Sequence, residues 1–226
     1  MKLTYLSHSC FLVETAKARL LIDPWLSDNP AARVKPADLH CDYVLLSHGH
    51  EDHSCDALDI AKRCNAPIIG NYEIAEYFAA QGAKTHGMNP GGGFNFPFGR
   101  VKLTLAHHTS SVKAGLNPIY LGSACGILIQ ADGKNLYHAG DTALFLDMQL
   151  IGKVGLDAAL LPIGDNVTMG PEDALTALDF LKPKLAVPMH YDTWSEIAQD
   201  AQKFAAAAAK SGHTVRVMSA GDTLEL

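Results

Sequence analysis

The sequence lacks the apolar runs that membrane-spanning and secreted chains carry. No segment of the 226 residues approaches the ~20 consecutive apolar residues that cross a bilayer. The first residues, MKLTYLSHSCFLVET, have neither a long apolar core nor a cleavage site made of small residues, so no signal peptide is expected. These absences predict a cytoplasmic protein with no membrane partner.

Paired cysteines and clustered positive charge are also missing. The five cysteines are odd in number and scattered without a Cys-x-x-Cys motif, which argues against a disulfide framework. The 18 Lys and Arg residues against 24 Asp and Glu give a net charge of -6, and they form no basic run. Phosphate backbones are bound by clustered Lys and Arg, so a nucleic-acid partner is not expected and a small-molecule substrate is. The oligomeric state stays open, and a homo-oligomer is one option.

Apolar residues are abundant, and their pattern alternates between strands and helices. Hydrophobic residues make up 48% of the chain and charged residues 19%, which suits a large buried core. In the first half the pattern predicts strands at 2–6, 10–14, 19–22, 42–47 and 67–70, with helices at 54–63 and 72–81. In the second half it predicts strands at 101–108, 125–130, 135–138, 158–162, 185–188, 215–218 and 223–226, with helices at 171–181 and 195–210.

The two halves therefore follow a similar order, a meander of strands and then strand–helix–strand–helix. No linker rich in Pro, Gly or Ser separates them. We expect an α/β protein with one domain, 1–226, built from two similar halves. Its two sheets would form a sandwich with the helices outside.

One short segment concentrates side chains that bind metals. The segment SHGHEDHS, at 47–54, follows a strand that we expect to be buried. His48 and His50 are two residues apart and would point the same way, whereas Asp52 and His53 fall where the chain turns into a helix. Imidazole and carboxylate suit Zn, Mn or Fe, and they would be costly to bury unpaired. The segment can therefore offer ligands toward two adjacent points.

The pattern His-x-His-x-Asp-His after a buried strand resembles the metallo-β-lactamase superfamily. Further motifs occur in the expected order along the chain: YLSHSCF at 5–11, LIDP at 21–24, AHHTSS at 106–111, HAGDT at 138–142 and PMHY at 188–191. Together they look like the metal-dependent hydrolase branch that is related to L-ascorbate-6-phosphate lactonase-like proteins. The resemblance implies a four-layer αβ/βα sandwich, the metallo-β-lactamase fold.

The resemblance also implies two divalent metal ions, Zn or Mn with Fe as a further candidate. Seven positions match the ligand motifs of the family: His48, His50, Asp52, His53, His108, Asp141 and His190. By that resemblance the first two histidines and a third one hold one metal. Asp52, His53 and His190 hold the second metal, and Asp141 bridges the pair.

The third histidine of the first metal is His108 or its neighbour His107. A strand would point these two side chains to opposite faces. The branch places its ligand before two small hydroxyl residues, and Thr109 and Ser110 follow His108. We therefore assign His108 and keep His107 as the alternative.

Other residues are expected around the ligands. Asp23 resembles an aspartate that supports a ligating histidine without binding metal. His8 would lie on the rim of the active site, and His138 would pack behind the ligands. His40, His86 and His213 have loop-like surroundings, need no function, and the change His213→Ala should be silent.

This set of residues predicts a metal-dependent hydrolase. A hydroxide that bridges the two metals would attack a small ester, lactone or phosphoester. Asp52 would orient that group and accept its proton, while His8, Tyr191 or a metal-bound water would protonate the leaving group. The loops at 110–122 and 165–170 would wall the pocket. Two alternatives stay open, a nuclease that acts on RNA and a non-catalytic metal-binding or sensing protein.

Overall fold

The computed structural model describes residues 1–226, except for the side chain of Ala114. Its first sheet has seven strands in the order β15-β1-β2-β3-β4-β5-β6. These strands are β1 (Lys2–Ser7), β2 (Cys10–Glu14), β3 (Arg19–Ile22), β4 (Tyr43–Leu45), β5 (Ile68–Asn71), β6 (Thr85–Met88) and β15 (Thr223–Glu225). Pairing is antiparallel from β15 to β3 and parallel from β3 to β6.

The second sheet has six strands in the order β14-β13-β12-β11-β8-β7. They are β7 (Gly93–Phe96), β8 (Gly99–Leu105), β11 (Cys125–Ala131), β12 (Lys134–His138), β13 (Ala158–Pro162) and β14 (Leu185–Met189). Antiparallel pairing again gives way to parallel pairing, here at β12. A separate hairpin consists of β9 (Ser111–Ala114) and β10 (Asn117–Tyr120).

Six α-helices accompany the sheets: α1 (Glu51–Ser54), α2 (Ala57–Cys64), α3 (Tyr72–Ala79), α4 (Met148–Gly152), α5 (Pro171–Leu181) and α6 (Ala201–Lys210). Short 3₁₀ turns lie at Pro36–Asp38 and Ser195–Ile197. Local chemistry sets the helix starts. The Asn71 side chain accepts a hydrogen bond from the Ile74 amide at α3, and proline opens α5. Across the described residues, no helix combines the length and apolar character that spanning a bilayer requires.

Two apolar clusters hold the layers together. The larger one joins the sheets and contains fully buried Leu20 and Leu45 from the first sheet and Leu160 from the second. The smaller one includes Val44 of β4 and Ile60 of α2. Because Leu45 and Val44 are neighbours on one strand, β4 is buried on both faces, which explains its continuous apolar sequence.

The structure confirms most of the expected elements and corrects four. The expected helix 54–63 is divided into α1 and α2, and the expected helix 195–210 is a 3₁₀ turn followed by α6. The expected strand 101–108 ends at Leu105, and 215–218 forms only an isolated bridge between Val215 and Ala186. The pattern also missed β6, β7, β9, β10 and α4, which are short or have little apolar alternation. The organisation as one domain of two similar halves stays a prediction.

The contact between α4 and α5 gives a test of the packing. A Cβ atom on Gly152 would lie 2.5 Å from the Leu181 carbonyl oxygen and 2.8 Å from that of Phe180. Helix propensity alone favours alanine over glycine by about 0.5–1 kcal/mol. Overpacking against backbone costs about 1–3 kcal/mol. We expect Gly152→Ala to lower the free energy of unfolding, as measured by urea denaturation.

Gln149→Ala is the matched control, because Gln149 is an exposed residue of the same helix. Its effect should stay within about 0.5 kcal/mol. A Gly152→Ala protein that is more stable than the original would contradict the described packing of α4.

Candidate metal centre

The site lies where several strands end at one edge of the two sheets. β3 leads to Asp23, β4 to the segment 47–54, β12 to Asp141 and β14 to His190. Strands β3 and β4 run parallel, as do β12, β13 and β14, so their carboxyl ends meet at shared edges. This arrangement brings the polar ends of buried strands together between the sheets.

Three histidines form the first group of possible metal ligands. His48, His50 and His108 each offer one ring nitrogen, and these nitrogens all lie within 4.8 Å of one another. His48 Nε2 is 3.0 Å from His50 Nδ1, and His108 Nε2 is 3.3 Å from the same atom. Such close ring nitrogens suit a shared cation.

The second group combines imidazoles with a carboxylate. His8, Asp52, His53 and His190 meet the same distance limit. Asp52 Oδ2 lies 3.7 Å from His53 Nε2 and 3.4 Å from His190 Nε2. Asp52 is one quarter exposed at its side chain, whereas the three histidine side chains are buried.

Asp141 lies between the two groups. Its Oδ2 is 3.8 Å from His48 Nε2 and 3.5 Å from His108 Nε2, both in the first group. On the other side, Oδ2 is 3.0 Å from His190 Nε2 and Oδ1 is 3.2 Å from His53 Nε2. One carboxylate is therefore within reach of histidines from both groups.

Buried atoms without partners test whether a metal fits this centre. Among the described residues, His53 Nε2, both ring nitrogens of His190 and Asp141 Oδ1 are buried without a hydrogen bond. Each such group costs roughly 1–3 kcal/mol when it stays unsatisfied. Divalent cations would satisfy His53 Nε2, His190 Nε2 and Asp141 Oδ1, and a set of nitrogen and oxygen donors suits Zn or Mn. The residues present fit a metal centre.

The electrostatics divide the histidines into two kinds. Burial lowers the pKa of His50 and His108, and burial together with nearby His53 lowers that of His48. Burial also disfavours a charged His190, but the Asp141 carboxylate outweighs it and raises the pKa of His190 to about 9. Neutral imidazoles thus gather on one side of Asp141, and imidazole–carboxylate pairs on the other.

Asp23 fixes the ring orientation of two histidines. Its Oδ2 accepts a hydrogen bond from His53 Nδ1 at 2.8 Å and another from Ser47 Oγ at 2.6 Å. Because the Ser47 hydroxyl donates to Asp23, its oxygen is left to accept from His48 Nδ1, 3.0 Å away. Both histidines therefore keep a proton on Nδ1, which leaves Nε2 as the nitrogen that a metal would bind.

Three residues at the centre hold a left-handed backbone. The φ angles of His8, Asp23 and His190 are 55°, 45° and 55°. Non-glycine residues adopt this region rarely, at a cost of about 1–3 kcal/mol each. A backbone hydrogen bond from His190 N to His8 O, 3.0 Å long, ties two of these turns together. Strained backbone at one location is typical of a functional site.

His8 contacts the centre through Asp52. His8 Nε2 lies 3.3 Å from Asp52 Oδ2, and His8 Nδ1 lies 2.8 Å from Thr193 Oγ1. Burial, and next the neighbouring His190, lower the pKa of His8 to about 3, so its ring is neutral. Because the Asp52 carboxylate can only accept, the neutral His8 ring carries its proton on Nε2 and donates it to Asp52, which leaves Nδ1 to accept from the Thr193 hydroxyl.

His138 and Tyr191 lie farther out. The Gly140 amide donates to His138 Nδ1, and His138 Nε2 donates to the Ser9 carbonyl, so this ring supports the turn that carries Asp141. The Tyr191 side chain is half-buried and lines a neighbouring cavity of about 390 Å³. Burial raises the pKa of Tyr191 to about 12.

The other histidines lie apart from both groups. His107 is exposed, and its ring contacts Phe145 at 5.0 Å between centroids. His213 Nε2 pairs with Asp179 Oδ1 at 2.8 Å. His86 is in strand β6, between Phe94 and Phe96, so the expectation of a loop-like setting is wrong for this residue. His40 lies outside the helices and strands, as expected.

The expected pocket walls contact residues next to the candidate ligands. The loop at 110–122 contains the β9–β10 hairpin, and its Lys113 Nζ lies 3.0 Å from Glu51 Oε2. The segment 165–170 is bound through the Met169 amide to the carbonyl of Thr142, next to Asp141. The sequence reasoning missed Ser47 and Thr193, which orient His48 and His8. For Ser47 a signal existed, since it is the hydroxyl residue directly before the first histidine.

Comparison with known proteins identifies the family of this chain. A family model described as the beta-lactamase superfamily domain matches residues 18–191. The chain belongs to the beta-lactamase superfamily. The match contains every motif of the centre except the first turn at His8. It confirms the family resemblance and the αβ/βα sandwich.

Full-length relatives within the superfamily share a hydrolase name. A metal-dependent hydrolase from Opitutus terrae is 52% identical over 227 residues, and one from Pelotomaculum thermopropionicum is 49% identical over 229, with 100% of both chains covered in each case. A solved metallo hydrolase from the archaeon Ignicoccus hospitalis is 38% identical, with a TM-score of 0.90 over 100% of this chain and 98% of that one. The chain is a metal-dependent hydrolase of the beta-lactamase superfamily.

The positions of the adjacent histidines give a direct test. We expect His108→Ala to reduce metal content and activity strongly, because His108 Nε2 lies near both His50 and Asp141. His107→Ala should have little effect, because this exposed ring contacts Phe145 instead. Metal analysis of the two purified variants, with turnover measured alongside, makes the comparison. Greater damage from His107→Ala would overturn the choice of His108.

Proposed function

We propose that this hydrolase holds two divalent cations, Zn or Mn, and cleaves a small ester, lactone or phosphoester. The observation that supports it is the position of Asp141, whose carboxylate reaches histidines of both groups. The first cation would be held by His48, His50 and His108, the second by Asp52, His53 and His190, with Asp141 shared. When bound, two such cations activate water and polarise the substrate oxygen.

The protein's own groups would position and deprotonate the nucleophile. Asp52 is the carboxylate of the centre that solvent reaches, so it would accept a proton from the attacking water. His8 would hold that carboxylate in place through its Nε2 proton, with Thr193 fixing the ring. His8 would therefore act through Asp52, and Tyr191 remains a candidate proton donor to the leaving group. The relation to L-ascorbate-6-phosphate lactonase stays a prediction, as does a cytoplasmic location.

A small substrate is favoured over RNA by charge. The chain has a net charge of -6 and lacks a basic run, whereas nucleic-acid phosphates are bound by clustered Lys and Arg. A non-catalytic structural metal site is disfavoured by the solvent-accessible Asp52 edge, since structural sites are closed and catalytic sites keep an open position. Both alternatives become outcomes of the experiment below.

Purified protein should be analysed for metals and assayed on matched panels of esters, lactones, phosphodiesters and short RNAs. We expect about two metal equivalents per chain and turnover of at least one small substrate that is lost with chelation. RNA cleavage faster than any small-molecule turnover would favour the nuclease. Two bound metals without turnover on any panel would favour the sensing protein.

The shared carboxylate gives a sharper test. Asp141→Ala removes the group that reaches both sets of histidines, so we expect the loss of at least one metal equivalent. The fall in turnover should exceed the ~10–100-fold that is typical when an outer partner of a ligand is removed. Metal analysis and turnover are the measurements.

Asp59→Ala is the matched control, because it makes the same chemical change at an exposed position of α2. It should keep the metal content and the rate of the original protein. Unchanged metal content in Asp141→Ala would refute the shared ligand.

A further inference from the structure

Both tryptophans of the chain lie beside the metal centre. The sequence contains two, Trp25 and Trp194. Trp25 follows Asp23 by two residues, and Trp194 follows His190 by four. The turns that carry Asp23 and His190 therefore also carry the indoles, although the two tryptophans are far apart in the sequence.

The two indoles flank His8. The His8 ring centroid lies 4.9 Å from that of Trp25, in an edge-on arrangement, and 5.3 Å from that of Trp194. The two indoles are 6.1 Å apart at an interplanar angle of 63°, and Trp194 also lies 5.8 Å from His190. Because His8 binds the partly exposed Asp52 carboxylate, the indole pair adjoins the accessible edge of the centre.

The packing of these side chains differs from that of core aromatics. Within the described residues, neither tryptophan belongs to the two apolar core clusters, and both are half-buried. An indole buries up to about 250 Å² when it is fully packed, so a partly exposed pair leaves some apolar surface open to a ligand.

Both indoles are held in place by their loops. Asp56 accepts hydrogen bonds from the backbone amides of Leu26 and Ser27 at 2.6 and 2.9 Å, and Asn29 Nδ2 donates to the Trp25 carbonyl at 2.9 Å. These bonds fix the Trp25 loop to the end of the motif segment. The Asp56 amide also donates to the Pro24 carbonyl at 3.2 Å, outside any helix, at the break between α1 and α2.

The Trp194 loop is braced in a similar way. Ile197 N donates to the Trp194 carbonyl at 3.3 Å, and the Ile197 side chain is buried. Asp192 Oδ1 accepts from the Gln199 amide at 2.8 Å. Loops that are braced before binding lose little entropy when a ligand docks against them.

We propose that Trp25 and Trp194 form an aromatic cleft that binds a flat apolar group of the substrate, such as an aryl ring next to the scissile bond. The inference rests on the proposed function, because it takes the metal centre as the place of cleavage. Offset or edge-on packing on two indoles favours a flat unsaturated group over a puckered saturated one of similar size. A flat acyl group would place its carbonyl toward the metals while its ring lies against the indoles.

Specificity gives the first arm of the test. The metal-loaded enzyme is assayed on methyl benzoate and methyl cyclohexanecarboxylate, which differ in the flatness of a six-membered ring. The preference is the kcat/KM of methyl benzoate divided by that of methyl cyclohexanecarboxylate. We expect Trp25→Ala and Trp194→Ala each to lower this ratio roughly tenfold, mainly by raising the KM of the benzoate ester. Trp25→Phe and Trp194→Phe should keep most of the preference, since they retain a flat ring.

Binding gives the second arm, which needs no turnover. Trp25→Phe and Trp194→Phe each leave one indole, so the fluorescence of each metal-loaded variant reports on a single side of the cleft. Benzoate should change the emission of both variants in a saturable way. Its concentration at half-saturation should be roughly tenfold lower than that of cyclohexanecarboxylate. Equal affinities for the two ligands, or no change in emission at either indole, would contradict the proposal that the two indoles bind a flat group.

Controls separate the cleft from a structural role. Phe94→Ala removes an exposed aromatic ring of β7 that contacts His86, and it should leave the substrate ratio unchanged. Metal content and thermal midpoint are measured for each variant. Trp25→Leu and Trp194→Leu replace any alanine variant that does not fold, because leucine keeps bulk without the flat ring.

The outcomes also separate this inference from the proposed function. Benzoate binding that depends on both indoles, in a protein that cleaves no substrate of the panels, would keep the cleft and reject hydrolysis of small esters. Normal cleavage of both esters with an unchanged ratio in the alanine or leucine variants would reject the cleft and keep the hydrolase.

Discussion

The structure depends on the cost of burying imidazoles and carboxylates away from water without partners. Asp141 and the histidines around it are buried, and several of their polar atoms lack hydrogen bonds within the described residues. Such a cluster is stable only if it is held rigidly and its charges are compensated. Asp23, Ser47 and the strained turns at His8 and His190 supply the rigidity, and the donor set is suited to cations that supply the compensation.

The two sheets offset the free-energy cost of this arrangement because each strand that carries a site residue is itself buried. Leu45 and Val44 anchor β4 on both of its faces, and fully buried Leu160 anchors β13, next to β12 and β14. The burial of apolar strands, at roughly 25 cal/mol per Å², offsets the local cost of the left-handed backbone at their ends. The site is thus stabilised by residues that do not touch it.

Much of the fold was predictable from periodicity, and the failures have identifiable causes. The helix expected at 54–63 is interrupted at Asp56, whose amide donates to the distant Pro24 carbonyl while its carboxylate accepts from backbone amides of the Trp25 loop. The strand expected at 101–108 stops at Leu105, so the alternation argument about His107 and His108 does not apply to the chain as it folds. The strand expected at 215–218 meets β14 at one bridge only, which local sequence cannot reveal.

The sequence by itself determined the chemistry of the candidate ligands, because a run of imidazoles and carboxylates directly after a buried strand has few other stable uses. It also determined the order of the elements, since apolar periodicity is local. Only the tertiary structure decided which distant side chains meet: Asp141 between two histidine groups, Thr193 against His8, and the two indoles on either side of that ring. These contacts join segments that lie far apart along the chain, and their distances follow from how the sheets pack.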